Sequence, residues 1–265
     1  MDLSEFSKKE KFGTNLSKLN TMIPKIIHYC WFGHNELPPL AKKCIASWRA
    51  FLPDYEIKEW NEDNFDVNSI PYIAQAYKHQ KYAFVSDYAR FKILHEYGGI
   101  YLDTDVELIK PLNELLSDNK GFAGVEIPGQ IALGLGFGAE KNNPIIKLML
   151  DHYEKLNFYN ADGSMNLIPS PLLQTQLLKE HGLNEANSLQ VIENCFSIFP
   201  KDYFNPYNFE NGKIEITSNT FSIHHYAGSW VTKRNKSNTR VYQLISRILG
   251  EKVAKKIRKM LGKKK

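Results

Sequence analysis

The stretch from Tyr82 to Asp105 constrains the fold most, because it predicts a buried helix, a sharp stop and a strand in close succession. Apolar residues recur through residues 82–97 in the way that is typical of a largely buried helix. Gly98 and Gly99 supply the stop. Residues 100–102 are apolar and predict a short strand. We therefore expect a unit in which helix and strand pack against each other, as they do in α/β domains.

Two carboxylates, Asp103 and Asp105, follow this strand directly. Ligand sites of open α/β sheets lie beyond the carboxyl ends of strands, so the pair is well placed for chemistry. Carboxylate oxygens suit Mg²⁺ or Mn²⁺, and such sites leave other positions to water and to substrate phosphate oxygens. The pair predicts a divalent-metal site that faces a diphosphate. A solvated acidic turn is the alternative interpretation.

Strands and helices alternate in the first half of the chain, which favours a mixed, mainly parallel sheet with helices on both faces. The predicted strands are 25–32, 55–59, 100–102, 106–109 and 121–126, and the predicted helices are 39–51, 70–80, 84–97, 144–156 and 172–181. The glycine-rich segment 129–138 has neither a P-loop nor a dinucleotide-binding pattern. It is either a loop or small-residue strand, or a place where backbone closely approaches a ligand.

Three segments, in order, resemble the DXD-motif sugar transferases of glycosyltransferase family 32. Residues 86–106 read SDYARFKILHEYGGIYLDTDV, residues 23–33 resemble the first strand of these enzymes, and residues 225–230 (HYAGSW) resemble their closing motif. The family includes capsular polysaccharide enzymes and yeast initiating mannosyltransferases, with the large clostridial glucosylating toxins as distant relatives. The resemblance covers about residues 22–232. It implies a single GT-A-type domain, a nucleotide-diphosphate sugar donor, Mn²⁺ or Mg²⁺, and retention of anomeric configuration.

The resemblance also implies roles for side chains around the DXD motif. Trp31 would stack on the nucleotide base, although a core tryptophan is an equally good interpretation of its position. Asp87 and Arg90 would hydrogen-bond hydroxyls of the donor sugar. At helical spacing they could instead form a surface ion pair, but their apolar neighbours predict a buried pair that needs polar partners.

Within the motif itself, the resemblance implies that Tyr101 faces the ribose of the donor. Asp103 would bind the sugar or ribose and a metal-bound water, and Asp105 would ligate the metal. Together with Arg90, these two aspartates form the predicted catalytic set.

The closing motif supplies a second predicted metal ligand and a lid. We choose His225 as the ligand because Gly228 follows it three residues later, and His224 and Ser229 remain alternatives, as does a histidine pair without metal. Imidazole is a good Mn²⁺ ligand. Ser229, Trp230 and Lys233 would contact the donor, the last two by closing over its diphosphate.

The composition is that of one sizeable soluble domain, with 265 residues of which 43% are hydrophobic and 24% charged. We place this domain at residues 23–238, between a polar extension (1–22) and a basic helix or helices (239–265). Three cysteines are an odd number, which argues against a disulfide framework, and their spacing is not that of a metal site. The first 22 residues lack the apolar core of a secretory signal, so we expect a cytoplasmic protein.

Positive charge is concentrated at the C-terminus. Residues 231–265 contain thirteen Lys or Arg and one acid, a net charge of +12, whereas the first 230 residues contain 21 basic and 28 acidic residues, a net charge of −7. The apolar residues of this tail form two helical stripes: Val241, Leu244, Ile245 and Ile248, then Val253, Ile257, Met260 and Leu261. The pattern predicts amphipathic helices, separated or kinked at Gly250, that bind an anionic membrane surface at the inner face of the cell membrane. A solvated basic end packed on its own domain is the alternative.

The predicted reaction moves a sugar from a nucleotide diphosphate, UDP favoured over GDP, to a hydroxyl of a glycan or lipid-linked saccharide in capsular or exopolysaccharide synthesis. Residues 169–174 either contact this acceptor or simply start a helix. Two other classes remain: a metal-dependent hydrolase of sugar or phosphate esters, and a non-catalytic module that binds a sugar nucleotide or lipid. Nucleic acid is a poor partner for a chain with an acidic body and no recognisable binding module.

Overall fold

The computed structural model describes residues 23–116, 119–227, 233–250 and 252–256. The strands are β1 (Ile26–Cys30), β2 (Glu56–Trp60), β3 (Gly99–Tyr101), β4 (Val106–Leu108), β5 (Gly121–Ile127), β6 (Gln130–Ile131), β7 (Phe137–Ala139), β8 (Gln190–Ile192), β9 (Phe196–Phe199) and β10 (Ser222–His224). The helices are α1 (Pro39–Phe51), α2 (Pro71–Lys78), α3 (Tyr82–Tyr97), α4 (Asn113–Leu116), α5 (Pro144–Tyr153), α6 (Ser170–Lys179), α7 (Lys201–Phe204) and α8 (Lys233–Leu249).

The main sheet has eight strands in the order β2-β1-β3-β7-β5-β9-β8, with β6 beside β5. Five of them, β2, β1, β3, β5 and β9, run in one direction, and β6, β7 and β8 run against it. The predicted strand at 106–109 forms as β4, but it lies outside this sheet. It pairs with β10 in a separate antiparallel ribbon.

Helices cover both faces of the sheet, and a separate apolar core lies between the helices and the sheet on each face. One core packs α2, α3 and α5 against the sheet and includes Tyr88 and Phe91. The other packs α1 and α7 against the opposite face and includes Trp48 and Phe204. The α/β class that the sequence predicts, a mixed sheet with one main strand direction and helices on both faces, is confirmed.

The turn between α3 and β3 depends on its two glycines. Gly98 and Gly99 have φ angles of 66° and 105°, which residues that carry a side chain rarely adopt. A Cβ on Gly99 would lie 2.7 Å from the carbonyl oxygen of Ile26 on the neighbouring strand β1. The turn therefore lets β3 pair directly with β1, and it places Asp103 just beyond the carboxyl end of β3.

The C-terminal helix α8 begins at Lys233, before the predicted boundary at residue 239. It ends at Leu249, just before Gly250, whose φ is 84°, and residues 252–256 are helical again. The described part of the tail thus has two helical segments separated at Gly250. The predicted N-terminal extension at 1–22 lies outside the described residues. Among the described helices, none has both the length and the apolar character to cross a membrane.

A buried histidine in β1 gives the fold a specific sensitivity to acid. Trp60 Nε1–H donates to Nδ1 of His28 over 3.0 Å, so Nε2 carries the proton and donates to the carbonyl oxygen of Gly98 over 2.9 Å. Burial lowers the pKa of His28 from 6.5 to about 4, against the opposing effect of the Gly98 hydrogen bond. The folded protein therefore resists a proton that the unfolded chain accepts below pH 6.5.

The first prediction concerns this histidine. The free energy of unfolding should fall as the pH decreases from 6.5 towards 4, and at pH 4.5 the contribution of His28 should be about 2 kcal/mol less favourable than at pH 7. A His28→Gln variant should lack this part of the acid sensitivity. Urea unfolding of both proteins at the two pH values measures the difference, and an identical pH dependence would contradict the assignment.

Candidate active site

A buried cluster of three charges connects α3 with the end of β3. Arg90 Nη2 donates to Asp87 Oδ1 over 2.6 Å and lies 3.7 Å from Asp103 Oδ1, while Nε donates to the carbonyl oxygen of Ser86. The guanidinium carbon lies 5.0 Å from the centre of the Tyr101 ring. Arg90 is only 6% exposed, so the pair is buried, as its apolar neighbours predict, and the alternative of a surface ion pair is wrong. A buried arginine with two carboxylates indicates a site built around fixed charge.

The burial of this cluster shifts its pKa values. Burial raises the pKa of Asp87 to about 6, although the positive charge of Arg90 opposes the shift. Burial also raises the pKa of Asp103, again opposed by Arg90. For Arg90, burial lowers the pKa, but the charges of Asp103 and Asp87 outweigh it and raise the pKa overall. Such perturbed groups at the end of a strand are typical of functional sites.

The glycine-rich segment approaches this cluster through its backbone. A Cβ on Gly134 would lie 2.0 Å from Asp103 Oδ2 and 3.3 Å from Arg90 Nη1, so this position has no room for a side chain. Residue 134 lies in a 3₁₀ turn, Leu133–Leu135, between β6 and β7. The segment therefore packs against the side chains of Asp103 and Arg90, and a close approach of its backbone to a ligand stays a prediction.

The start of α6 contributes polar groups that the sequence did not single out as part of the donor site. The amide of Gln174 accepts from Leu133 N–H over 3.2 Å and donates to the Ser170 hydroxyl. Tyr153 O–H donates to the same hydroxyl over 3.2 Å, and a hydrogen bond between Ser170 and Asp87 opposes the rise that burial causes in the pKa of Asp87. Residues 169–174 thus start a helix and also border the charged cluster.

A second cluster places two carboxylates and an imidazole together. Single ligand atoms of Asp103, Asp105 and His224 all lie within 4.8 Å of one another. His224 Nε2 lies 3.0 Å from Asp105 Oδ1, and the backbone N–H of Ala227 donates to Asp105 Oδ2 over 2.8 Å. Burial tends to raise the pKa of Asp105, but the hydrogen bonds from His224 and Ala227 lower it overall. Asp105 is therefore held as a carboxylate.

The structure places His224, rather than the predicted His225, in this cluster. The ribbon register sets His224 opposite Val106, so its side chain reaches the neighbouring Asp105. His225 Nε2 lies 2.7 Å from Glu107 Oε2, which also accepts from Lys43 Nζ over 2.7 Å. We therefore transfer the metal-ligand assignment from His225 to His224.

The remaining predicted site residues have distinct positions. Trp31 follows β1 at the carboxyl edge of the sheet and is half-buried, with its Nε1–H donating to the carbonyl oxygen of Asn35. Tyr101 is 1% exposed, so its ring supports Arg90 instead of facing a donor. Ser229 and Trp230 lie outside the described residues. Lys233 is the first residue of α8.

The cluster of Asp103, Asp105 and His224 fits a divalent metal by the chemistry of its donors. Carboxylate oxygens with an imidazole nitrogen suit Mn²⁺ and Mg²⁺ in sites that leave positions for substrate oxygens. Its position beyond β3 and beside Arg90 would bring such a metal and a bound anion close to the same buried charges.

Sequence comparisons agree with the DXD prediction. Residues 38–122 match the family described as "Glycosyltransferase sugar-binding region containing DXD motif". An uncharacterized glycosyltransferase of Acanthamoeba polyphaga mimivirus is 27% identical over 203 residues, which cover 72% of this chain and 76% of the viral protein. Inositol phosphoceramide mannosyltransferase 3 of Schizosaccharomyces pombe is 35% identical over 107 residues, 38% of this chain and 29% of the yeast protein. The chain thus spans less than a third of that mannosyltransferase.

Two solved structures have partly similar folds. The PaToxG glycosyltransferase has a TM-score of 0.48 and 23% identity, with 60% of this chain and 69% of that chain covered. A glycosyltransferase involved in glycosylation of the major capsid of PBCV-1 has a TM-score of 0.45 and 13% identity, with 82% and 99% covered.

Proposed function

We propose that the protein is a metal-dependent, retaining glycosyltransferase that moves a sugar from a nucleotide diphosphate to a hydroxyl of a glycan or lipid-linked saccharide. The observation that carries the proposal is the convergence of Asp103, Asp105 and His224 with the buried Arg90 at the end of β3. The match of residues 38–122 to the sugar-binding region supports it. UDP is favoured over GDP as the donor nucleotide.

Each cluster has a distinct part in the proposed reaction. Asp105 and His224 would hold the divalent metal, with Asp103 beside them. When bound, that metal neutralises charge on the departing diphosphate. Arg90 and Asp87 would orient the donor sugar through its hydroxyls, and orientation by fixed charges contributes to catalysis without any rearrangement of the protein. The hydrogen bond from Ala227 N–H keeps Asp105 aimed at the metal position.

The wider role belongs to the same proposal. The chain would act in capsular or exopolysaccharide synthesis, as a cytoplasmic enzyme peripheral to the inner face of the cell membrane. The concentration of thirteen Lys or Arg in residues 231–265 supports attraction to an anionic lipid surface. A lipid-linked acceptor would be available at that surface. Residues 169–174, which border Asp87 at the start of α6, would contact the acceptor.

The second prediction tests donor binding through Trp31. If its half-exposed ring stacks on the base, Trp31→Ala should weaken the binding of UDP and of the UDP-sugar by the same amount, about 1–3 kcal/mol. Trp31→Phe keeps an aromatic face and should recover part of this loss. Calorimetric titration with UDP and Mn²⁺ measures both variants. Unchanged UDP affinity together with a lower melting temperature would show that Trp31 serves the core instead.

A further inference from the structure

The C-terminal helix α8 packs against the domain through its polar side. Gln243 is 8% and Ser246 4% exposed, whereas Leu244 is 57% and Ile248 70% exposed. A helix turns about 100° per residue, so positions two apart lie about 200° apart around its axis. Gln243 and Ser246 therefore face the domain, and Val241, Leu244 and Ile248 face away from it. This is the reverse of the usual orientation of a surface helix.

Specific hydrogen bonds hold the polar side in place. Gln243 Nε2 donates to the hydroxyl of Tyr207 over 2.7 Å and to the carbonyl oxygen of Phe209 over 3.2 Å. Arg247 Nη2 donates to the carbonyl oxygen of Gly212 over 2.9 Å. Beyond Gly250, Lys255 pairs with Glu210 over 3.1 Å. The outward orientation of the apolar side is thus fixed by contacts that would be lost if the helix rotated.

We propose that the exposed face formed by Val241, Leu244 and Ile248, here called the outer face of the tail, inserts into the surface of an anionic lipid bilayer. An exposed apolar face on a basic segment is what interfacial helices present to a membrane. The tail carries a net charge of +12, which matches anionic headgroups. If the face instead bound a second copy of the chain, two positively charged tails would come together and repel each other. Charge complementarity therefore favours the bilayer.

The same helix is connected to the candidate metal site. Tyr207 and Phe209, which accept the hydrogen bonds from Gln243, have ring centres 5.3 Å and 4.9 Å from that of Tyr226. The Tyr226 ring in turn lies 4.0 Å from that of His224. A membrane contact at the outer face would therefore orient the site relative to the bilayer. The inference deepens the proposed function by naming the surface that meets the lipid, but its test requires no catalysis.

The third prediction is that wild-type protein co-sediments with vesicles of equimolar phosphatidylcholine and phosphatidylglycerol much more than with pure phosphatidylcholine. Binding should weaken as salt is raised, because salt screens the charges of the tail. The double variant Leu244→Gln, Ile248→Gln should bind the anionic vesicles at least about 10-fold more weakly, because it replaces two apolar side chains of the outer face with polar ones. Its melting temperature should be unchanged.

The matched control is the double variant Leu189→Gln, Val191→Gln, which changes two similarly exposed apolar side chains near β8. It should bind vesicles as the wild type does. The metal-site variant Asp105→Asn should also bind normally, which separates this inference from the proposed reaction. The inference would be overturned if the Leu244 and Ile248 variant bound vesicles as strongly as the wild type, or if it failed to fold. It would also be overturned if sedimentation velocity showed that the wild type is a dimer and the variant a monomer.

Discussion

Asp105→Asn is expected to abolish metal-dependent sugar transfer while the protein remains folded. The substitution keeps the shape of the side chain and one oxygen that can accept from Ala227 N–H, but it removes the charge that binds the metal. Turnover should fall by a factor of the order of 10³, comparable with the loss of a group that stabilises charge in the transition state. Initial rates at saturating Mn²⁺ and the melting temperature measure the two effects.

Glu107→Gln is the matched control for Asp105→Asn, because Glu107 lies two residues further along the ribbon and binds Lys43 and His225 outside the metal cluster. It should retain most of the activity. The two histidines extend the comparison: His224→Gln should reduce turnover strongly and His225→Gln only slightly. The opposite order would return the metal-ligand assignment to His225. Equal turnover of Asp105→Asn and wild type would refute the metal role.

Arg90→Met is expected to have the largest effect on stability among the site variants. It removes the guanidinium that lies between the carboxylates of Asp87 and Asp103. The side chain of Asp87 is only 13% exposed, so its charge would be left buried without a partner. Removal of one partner from a buried ion pair typically destabilises by about 3–5 kcal/mol. The variant should also lose donor-sugar orientation, and hence turnover. Urea unfolding measures the first effect.

The double variant Asp87→Asn, Arg90→Met is the control for this prediction. It removes the uncompensated charge of Asp87, so it should regain part of the stability that Arg90→Met loses. Turnover should not recover, because neither residue can then bind the sugar as proposed. If Arg90→Met is as stable as the wild type, the buried cluster does not depend on its charge pairing.

The local unit around Asp103 could be predicted from the sequence because its signals lie within a few residues. The apolar pattern of α3, the glycines at 98 and 99 and the short run before Asp103 each depend on neighbouring residues alone. Local backbone preference and burial therefore agree there. The buried state of the Asp87 and Arg90 pair follows from the same pattern.

The choice between His224 and His225 could not be made from the sequence. Successive residues of a strand point to opposite sides, so a shift of one residue exchanges the two side chains. The register that decides between them is set by pairing of β10 with β4, more than a hundred residues earlier. The spacing to Gly228 carried no information about that pairing. Tyr101 was misjudged for a related reason, since its contacts with Arg90 come from α3.

The tail shows a different limit of sequence interpretation. Its apolar stripe was recognised, but the stripe gives no indication of which side packs on the domain. That side is decided by hydrogen bonds from Gln243 and Arg247 to the segment 207–212. The short strands β7 and β9 were also missed, because three or four residues, some of them glycine, show no clear alternation.

Direct analysis of products tests the central claim, that the site transfers a sugar to an acceptor. Purified protein is incubated with a panel of UDP- and GDP-hexoses, Mn²⁺ and a saccharide acceptor, and the products are identified by mass spectrometry. The account predicts an acceptor heavier by one sugar, with release of an equal amount of nucleotide diphosphate, and neither product after chelation of the metal. Release of free sugar that is independent of any acceptor would identify a hydrolase and contradict the claim.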